Sequence, residues 1–303
     1  MNAHQDSHAA PPADRPRPRT AFGIDVGGSG IKGAPVDLAT GEFAQERHRI
    51  PTPQPSTPQA VAEVIAELVG AYDLPQDVPI GVAFPAPLQH GVVRFIANLD
   101  KSWTGVDLPA LVARETGRHV VAVNDADAAG VGEVRYGAAR DADGVVLVAT
   151  LGTGIGSAIL VEGHLLPNTE LGHLEIDGYD AETRASDAAR DREDLDWAQW
   201  AERLQRYFGV VEDLFSPDLI VVGGGVSKKH EHFLPLLHLR APIVPAQLRN
   251  AAGIVGAASL QAGLTSWCSV PKISMTPSIS RTSVTTVGGL RSVTDSPSSE
   301  PIV

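Results

Sequence analysis

A glycine-rich turn between two apolar segments occurs twice in this chain and restricts its fold more than any other feature of the sequence. In the first copy, an apolar run at 21–26 leads through GGSG to a second run at 31–36. In the second copy, a run at 144–151 leads through GTGIG to 157–161. Short apolar runs bounded by glycine are typical of buried strands. The repeat of one strand–turn–strand unit predicts a duplicated architecture.

Other segments carry the patterns of further strands and helices. Unbroken apolar runs predict strands, and apolar residues spaced by three or four predict helices. The predicted strands are 42–50, 79–84, 119–124 and 219–222. The predicted helices are 59–69, 108–116, 182–208 and 253–261. The alternation of both kinds of element predicts a protein of the α/β class.

The chain of 303 residues is long enough for two structural units of roughly 150 residues each. We expect a disordered leader at 1–20, a first lobe at 21–125 and a second lobe at 126–262. The helix that closes the second lobe is expected to pack back on the first. Residues 263–303 are rich in Ser, Thr and Pro and have few apolar anchors, which predicts a disordered tail.

Charge and cysteine content exclude several classes of function. The chain has 24 Lys and Arg against 36 Asp and Glu, a net charge of −12, which counts against a broad nucleic-acid surface. A single cysteine excludes an internal disulfide framework and a cysteine-rich zinc site. No apolar stretch approaches the ~20 residues of a transmembrane helix, and 1–20 lacks the apolar core of a secretory signal. We therefore expect a cytoplasmic protein with no nucleic-acid or membrane partner.

The first glycine turn, DVGGSGIKG at 25–33, has the chemistry of an anion site. Its G-x-G-x-x-G spacing matches a dinucleotide fingerprint, but that fingerprint requires a helix after the glycines. Here a strand-like segment follows, so we favour a hairpin whose bare backbone N–H groups bind phosphate. Asp25 can hold a Mg²⁺-bound water, and Lys32 can contact a phosphate. A purely structural glycine hairpin is the alternative interpretation.

The second glycine turn, TLGTGIGS at 150–157, also offers backbone N–H groups, together with two hydroxyls. It is not a Walker A loop, because it has no Gly-Lys-Ser/Thr ending. If it faces the first turn across a cleft, the two turns complete a phosphate clamp. The candidate phosphate-binding residues of the two turns are Asp25, Gly27, Gly28, Ser29, Gly30, Lys32, Gly152, Thr153, Gly154 and Gly156.

The sequence NDADAAG at 124–130 places carboxylates at the carboxyl end of a predicted strand, where ligand sites of α/β proteins gather. We expect Asp125 to accept a proton from a substrate hydroxyl. The alternative is that this residue caps the following helix. Asp127 is expected to have that capping role or to face solvent.

A polyol site is predicted from NTELGHLE at 168–175, because Glu170 and His173 can hydrogen-bond neighbouring hydroxyls. The E-x-x-H spacing also resembles half of a zinc site, but no cysteine lies nearby to complete it. We therefore expect no protein-bound zinc at this segment.

In this order, the motifs resemble the ROK family of sugar kinases, and within it the branch that uses polyphosphate. The resemblance also includes NLDKSW at 98–103, GGG at 223–225 and AGIVGAA at 252–258, and it covers residues 21–262. It implies an actin-like (ribonuclease H-like) two-lobed sugar kinase fold. It implies a glucokinase that transfers a phosphoryl group from inorganic polyphosphate, and from ATP, to the 6-hydroxyl of glucose. Mg²⁺ is expected with the donor, and a homodimer is the expected assembly.

The resemblance also implies roles for individual residues. Asp125 corresponds to the base that acts on the glucose 6-hydroxyl, and the turn at 223–225 corresponds to the one that receives the adenosine end of a nucleotide. The implied sugar-binding residues are Asn98, Asn124, Glu170, His173 and Glu182. The implied nucleotide-binding glycines are Gly223, Gly224 and Gly225.

The chain departs from the family pattern in two places. The cysteine-rich zinc loop that many members carry after the sugar-binding histidine is missing. Ala86 stands where a glycine is usual, which would weaken glucose binding if that position required a positive φ. Separately, a polyphosphate donor requires a basic track, and the candidates for it are Lys32, Arg94, Lys101, Lys228, Lys229 and Arg240.

The sequence also allows two other functions. One is an ATP-dependent kinase for another hexose or for an N-acetylhexosamine. The other is a non-catalytic, sugar-responsive regulator. Regulators of this family add a helix-turn-helix in front of the same lobes, and the roughly twenty proline-rich residues before Phe22 are too few to form one.

Overall fold

The computed structural model describes residues 18–97 and 99–262, which form two mixed sheets and the helices that cover them. The strands are β1 (Thr20–Val26), β2 (Ile31–Asp37), β3 (His48–Ile50), β4 (Ile80–Phe84), β5 (Leu88–Gln89), β6 (Val92–Val93), β7 (Val120–Asn124), β8 (Val145–Leu151), β9 (Ile155–Val161), β10 (His164–Leu166), β11 (Glu175–Ile176), β12 (Tyr179–Asp180), β13 (Leu219–Gly223) and β14 (Ile243–Pro245). The α-helices are α1 (Pro58–Gly70), α2 (Leu108–Thr116), α3 (Asp125–Tyr136), α4 (Glu182–Ala185), α5 (Asp187–Arg192), α6 (Trp197–Phe215) and α7 (Ala252–Ser259).

The two large sheets have the same topology. The strand order is β3-β2-β1-β4-β7 in the first sheet and β10-β9-β8-β13-β14 in the second. In the first sheet, β1 pairs antiparallel with β2 and parallel with β4. In the second, β8 pairs antiparallel with β9 and parallel with β13. The repeat predicted from the two glycine turns is therefore confirmed in both strand order and strand direction.

The prediction of one strand over 42–50 is wrong for most of its length, because only β3 forms a strand beside β2 and Phe43 makes an isolated bridge to Val36. The hydroxyl of Tyr72, which follows α1, accepts a hydrogen bond from the backbone N–H of His48 at 3.0 Å. The same hydroxyl lies 2.8 Å from the backbone oxygen of Glu46, to which it can donate. A side chain from outside the sheet thus satisfies backbone groups that a strand neighbour would otherwise have paired.

The prediction that 182–208 is largely helical is confirmed, and its helical residues belong to three separate helices. Ser186 ends α4 and caps α5, where its hydroxyl accepts from the backbone N–H of Ala189 at 3.2 Å. Asp196 and Gln199 then form a capping box that starts α6. Each capping side chain satisfies a free N–H of the helix that it starts, and its own extended backbone ends the preceding segment.

The helices bury the faces of the two sheets. Apolar side chains of α1 and α2 form one core with the first sheet, and α6 forms another with the second. Helix α7 lies against the backbone of β1: a Cβ on Gly23 would lie 2.0 Å from the backbone oxygen of Ile254. Helices α3 and α7 approach equally closely, because a Cβ on Gly256 would lie 1.7 Å from the backbone oxygen of Ala128. These glycines let α3 lie directly beside α7, which fixes the position of residue 125 at the start of α3.

Parts of the predicted organisation fall outside the described residues. The tail at 263–303 and most of the leader at 1–20 belong to this group, although Thr20 already forms part of β1. Within the described part of the chain, no helix has the length and apolar character needed to cross a membrane.

Candidate active site

Two cavities meet where the central strands of both sheets end. The large cavity has a volume of about 510 Å³ and is lined by both glycine turns and by the segment 85–87. The small cavity has a volume of about 210 Å³ and is lined by Asp25, Lys32 and the glycines 223–225. Asp125 lines both cavities. A single carboxylate therefore faces two separate binding spaces.

Asp125 owes its position to the residue before it. Asn124 ends β7 and caps α3, because its Oδ1 accepts from the backbone N–H groups of Ala126 at 2.9 Å and Asp127 at 3.2 Å. The cap is thus made by residue 124, and Asp125, whose Oδ1 accepts from the backbone N–H of Ala126 at 2.8 Å, remains accessible from the cavities. The cap occupies the Asn124 amide oxygen, which leaves the amide nitrogen for a ligand.

The surroundings of Asp125 raise the pKa of its carboxyl group from 3.8 to about 6. Enclosure by protein around the cavities is the largest cause, followed by the negative charge of Asp25 and, more weakly, that of Glu170. The backbone hydrogen bond from Ala126 acts in the opposite direction. A carboxylate with a pKa near the working pH is suited to accept and release a proton.

The prediction for Asp127 is wrong, because this residue neither caps α3 nor faces solvent. Its side chain is fully buried, and its Oδ2 accepts from the backbone N–H of Asn168 at 2.8 Å. Burial raises the pKa of Asp127 to about 7. Asn168 in turn bonds the backbone N–H and oxygen of Leu88 at 2.9 and 3.0 Å. Asp127 therefore anchors the segment that leads to Glu170, and the Asn168 side chain joins that segment to β5.

The first glycine turn contributes charge to the small cavity. Asp25 and Lys32 are partners across the β1–β2 ladder, and Lys32 Nζ lies 3.3 Å from Asp25 Oδ2. Gly27 and Gly28 line the large cavity. The turn closes through a 3.1 Å hydrogen bond from the backbone N–H of Gly27 to the backbone oxygen at residue 30.

Two residues of the first turn do not reach either cavity. Arg49 donates to the backbone oxygen of Ser29 at 2.7 Å, and its guanidinium covers Gly30, where a Cβ would lie 2.4 Å from Arg49 Nε. Ser29 itself is exposed. Neither Ser29 nor Gly30 lines one of these two cavities, so the phosphate contacts expected of them stay a prediction.

The second glycine turn lines the large cavity with all four of its predicted residues, Gly152, Thr153, Gly154 and Gly156. Glu182 braces this turn, because its Oε2 accepts from the backbone N–H of Ile155 at 3.0 Å. A Cβ on Gly154 would lie 2.2 Å from the same oxygen, so only glycine lets the carboxylate approach this closely. The glycines 223–225 lie at the end of β13 and line the small cavity, and Gly224 has φ +85°.

Glu170, His173 and Glu182 line the large cavity together, as does Asn124. They come from three segments of the chain, and the cavity brings their polar groups to one space beside Asp125. Burial and the charge of Glu182 raise the pKa of Glu170, whereas His173 acts to lower it. Grouped carboxylate, imidazole and amide groups can hydrogen-bond adjacent hydroxyls of a polyol.

Asp180 is a functional candidate that the sequence analysis missed. Its Oδ2 lies 2.9 Å from His173 Nδ1, and its Oδ1 accepts from the backbone N–H of Glu182 at 3.2 Å. Because an ionised carboxylate only accepts, Nδ1 carries the hydrogen and Nε2 is left for the cavity. The hydrogen bond to Asp180 is the largest cause that raises the pKa of His173. The only sequence signal was a carboxylate two residues before Glu182 in a short hairpin.

Among residues 18–97 and 99–262, two sets of side chains can hold a divalent cation. Asp25 and Asp125 offer carboxylate oxygens to the small cavity, and Mg²⁺ prefers such ligands together with water and phosphate. These residues therefore fit a Mg²⁺ ion that accompanies a phosphate donor. His173, Asp180 and Glu182 form a second set, whose ligand atoms lie within 4.8 Å of one another.

Two expectations about the wall of the large cavity have different outcomes. Asn98, an implied sugar ligand, lies outside the described residues. Ala86 lines the cavity, and it is absent from the non-glycine residues with positive φ in the described part of the chain. Alanine at this position therefore causes no backbone strain of the kind that would weaken sugar binding.

The basic residues proposed for a polyphosphate track have different surroundings. Lys101 Nζ donates to the backbone oxygen of Ile96 at 2.8 Å, and Arg240 pairs with Asp213 at 2.8 Å. Lys229 lies over the ring of Trp197. Lys228 lines another cavity, of about 560 Å³, together with Arg47 and Arg249.

The chain is similar to a known family and to several known proteins. The sequence model of the ROK family matches residues 21–192. A polyphosphate glucokinase of Mycobacterium tuberculosis is 49% identical over 241 residues, which span 79% of this chain and 90% of that protein. The crystal structure of an inorganic polyphosphate/ATP-glucomannokinase from Arthrobacter sp. strain KM is 56% identical, with a TM-score of 0.76 over 81% of this chain and 99% of the other.

A ROK family glucokinase from Streptomyces griseus, solved with glucose and AMPPNP, has a TM-score of 0.67 at 24% identity. The match covers 80% of this chain and 98% of that protein. This more distant likeness concerns the fold, which is the ROK sugar kinase fold built on mixed sheets. From the family match and the closer relatives together, the chain belongs to the ROK family.

Proposed function

We propose that this chain is a glucokinase that transfers a phosphoryl group from inorganic polyphosphate, or from ATP, to the 6-hydroxyl of glucose. The observation that carries the proposal is the position of Asp125 at the boundary of the two cavities. The hydroxyl-binding groups line one cavity, and a lysine and bare backbone line the other. The names of the Mycobacterium and Arthrobacter relatives support the same pair of substrates.

In this proposal glucose occupies the large cavity. Glu170, His173, Glu182 and the Asn124 amide orient its hydroxyls so that the 6-hydroxyl lies beside Asp125. Asp125 takes the hydroxyl proton while the bond from O6 to phosphorus forms and the phosphorus–oxygen bond to the donor breaks. The products are glucose 6-phosphate and either shortened polyphosphate or ADP. Phosphoryl transfer of this kind depends mainly on positioning and charge neutralisation.

The donor phosphate occupies the small cavity. Lys32 and the backbone N–H groups at 223–225, which line this cavity, neutralise and hold its oxygens. Asp25 would hold Mg²⁺, which supplies neutralisation of the charge that develops on the transferred group. The turn at 223–225 lines this cavity, and the rest of a nucleotide can extend along it.

The shared topology of the two sheets supports an actin-like (ribonuclease H-like) arrangement of two lobes. We assign residues 21–125 to the first lobe and 126–262 to the second, with α7 returning to β1. In this arrangement Asp125 lies at the boundary between the lobes. Closure of the lobes around both substrates would exclude water, which competes as a phosphoryl acceptor.

Mannose is a second candidate acceptor. The Arthrobacter relative is 56% identical to this chain, and its name includes mannose as well as glucose. The two sugars differ only in the orientation of the 2-hydroxyl, so both present the same 6-hydroxyl to Asp125. We expect mannose to be phosphorylated at the same carboxylate.

A coupled assay of glucose 6-phosphate formation tests the proposed function. The purified chain is incubated with glucose and either ATP or polyphosphate, each with Mg²⁺ or with EDTA. We expect product with polyphosphate and Mg²⁺, and loss of product with EDTA. N-acetylglucosamine in place of glucose is the acceptor control. Absence of sugar phosphate with both donors in the presence of Mg²⁺ would refute the proposed function.

A further inference from the structure

Arg249 lies at the junction of three cavities. It lines the small cavity, a neighbouring cavity of about 560 Å³ and a third of about 420 Å³. We call the 560 Å³ cavity the outer groove, and the residues that define it are Arg47, Lys228, Arg249 and Asn250. Arg249 and Asn250 line both the outer groove and the small cavity. The outer groove therefore adjoins the small cavity, which contains Asp125 in its wall.

The cations of the outer groove lack acidic partners, unlike several other arginines of this acidic chain. Arg206 pairs with Asp177 at 2.8 Å, and Arg240 pairs with Asp213 at the same distance. In the described part of the chain, Arg47, Lys228 and Arg249 take part in no ion pair within 4.0 Å. Arg47 makes one hydrogen bond, to the backbone oxygen of Asn250 at 3.3 Å. One carboxylate, that of Glu46, lines the groove beside the three cations. Unpaired cations in a concave surface create a local positive potential that attracts a polyanion.

The backbone holds Arg249 in an unfavourable conformation at this junction. Its φ is +52°, in the left-handed region that non-glycine residues avoid. The residue starts a short 3₁₀ turn, Arg249–Ala251, that leads directly into α7. The first residues of α7, Ala252 and Gly253, line the small cavity, and a Cβ on Gly253 would lie 3.5 Å from the carboxyl carbon of Asp25. The turn thus ties the position of Arg249 to the candidate phosphate site.

We propose that the outer groove binds the distal phosphates of a polyphosphate chain whose terminal phosphate occupies the small cavity. Arg249 marks the point where the chain passes from one space to the other, and Arg47 and Lys228 contact the phosphates beyond it. A polyphosphate fits this arrangement because its charges repeat along a flexible chain and can meet successive cations. ATP ends in a nucleoside after three phosphates, so it has no charged groups to place in the groove. This inference rests on the proposed function and locates the donor within it.

The sequence candidates for this track are only partly retained. Lys32 and Lys228 line the two adjoining cavities. Arg47 and Arg249 were absent from the candidate set, because their proximity to the phosphate site arises from the fold. Arg240 was in that set, but its guanidinium is engaged with Glu212 and Asp213.

Donor length provides the sharpest test. kcat/KM is measured for ATP, tripolyphosphate and long-chain polyphosphate in the wild type, in the double variant Arg47→Gln/Lys228→Gln and in Arg249→Gln. We expect the kcat/KM of the double variant for the long chain to fall roughly tenfold or more, because each cation near a polyanion contributes about fivefold. Tripolyphosphate and ATP should change less than twofold, because they end before the groove. Arg249→Gln should weaken both polyphosphates. Arg240→Gln is the matched control and should leave all three donors unchanged.

The salt dependence of the same reactions gives an independent readout. Long-chain polyphosphate should lose kcat/KM with added salt more steeply than ATP, because each neutralised phosphate releases counterions. The double variant should flatten that slope without changing the slope for ATP. An unchanged kcat/KM of the double variant for long chains would overturn the proposal. An equal loss of kcat/KM with all three donors in that same variant would also overturn it. A wild-type enzyme that uses ATP but no polyphosphate would refute the choice of donor itself, which separates that failure from a misplaced groove.

Discussion

The β1–β2 and β8–β9 hairpins have the same pairing and the same place in their sheets, yet their chemistry differs. Next to the turn of the first hairpin, Asp25 pairs across the ladder with Lys32. At the equivalent place in the second hairpin, Thr150 pairs with Gly156. The strands of the second hairpin contain no charged residue, and the carboxylate at its turn comes from Glu182. The first hairpin thus supplies charged side chains next to Asp125. The second supplies uncharged backbone, which the carboxylate of Glu182 holds in place.

Removing the carboxylate that both hairpins face should have the largest effect. We expect Asp125→Asn to lower kcat by about 10²- to 10⁴-fold, the usual contribution of a general base. Glucose affinity should be retained, because the other hydroxyl-binding groups are unchanged. Turnover is measured with the coupled assay and glucose binding by calorimetry. Wild-type turnover in this variant would remove Asp125 from its proposed role.

A change in the first hairpin should act on the donor. Asp25→Asn removes the carboxylate proposed to hold Mg²⁺, and we expect kcat to fall about 10- to 100-fold with a higher Mg²⁺ concentration for half-maximal rate. The KM for glucose should stay near the wild-type value. Titration of Mg²⁺ at saturating glucose measures the effect. A selective rise in glucose KM would contradict the division of roles between the two hairpins.

A change in the second hairpin should act on the sugar. The Cβ of Gly154→Ala would collide with Glu182 Oε2, so the carboxylate must move away from Ile155. We expect the KM for glucose to rise about tenfold, the lower end of the effect of disturbing a positioned ligand. Gly152→Ala is the comparison, because a Cβ there meets no atom within 4 Å. Equal glucose KM values for the two variants would contradict the bracing role of Glu182.

Asp180 should affect the sugar side more weakly. It uses one oxygen for His173 and the other for the backbone of Glu182, whereas an asparagine has a single accepting oxygen. We expect Asp180→Asn to raise the KM for glucose about fivefold, which corresponds to the net loss of one ordinary hydrogen bond of about 1 kcal/mol, with kcat little changed. Asp177→Asn, in the same β11–β12 hairpin, removes an equal charge that pairs with Arg206 instead. Matching kinetics for the two variants would show that charge alone, rather than positioning, causes the effect.

The smallest expected effect concerns stability. The pKa of Asp125 is raised from 3.8 to about 6 in the folded protein, so its ionised form opposes folding above about pH 6. Below pH 3.8 the group is protonated in both states and the penalty disappears. Asp125→Asn should therefore raise the Tm at pH 8, and the gain should shrink as the pH falls from 6 to 4. Thermal unfolding at several pH values measures it, and a gain that grows toward low pH would contradict the raised pKa.

Sequence reasoning located the groups that lie at the ends of strands, because parallel strand ends meet at one edge of a sheet. Asp25 and Asp125 lie together for that reason, at the ends of β1 and β7 in the first sheet. It failed where a distant side chain decides the outcome. Tyr72 interrupts the strand predicted at 42–50, and Asn168 draws Asp127 into the interior. The order of residues along the chain does not predict such contacts.

Sequence reasoning missed two residues altogether, and for the same reason. Asp180 matters because a short hairpin turns it toward His173, and Arg249 matters because a strained turn places it between cavities. Neither residue belongs to a motif, and neither has a distinctive neighbour in the sequence. Their identification required the distances and the cavities themselves.

The most direct measurement is a crystal structure of the chain with glucose and a non-hydrolysable ATP analogue bound. We expect glucose in the large cavity with O6 within about 3.2 Å of an Asp125 carboxylate oxygen, the reach of a hydrogen bond to a general base. The terminal phosphate should lie in the small cavity on the other side of that oxygen. A sugar bound with O6 turned away from residue 125, or a phosphate bound elsewhere, would contradict this expectation.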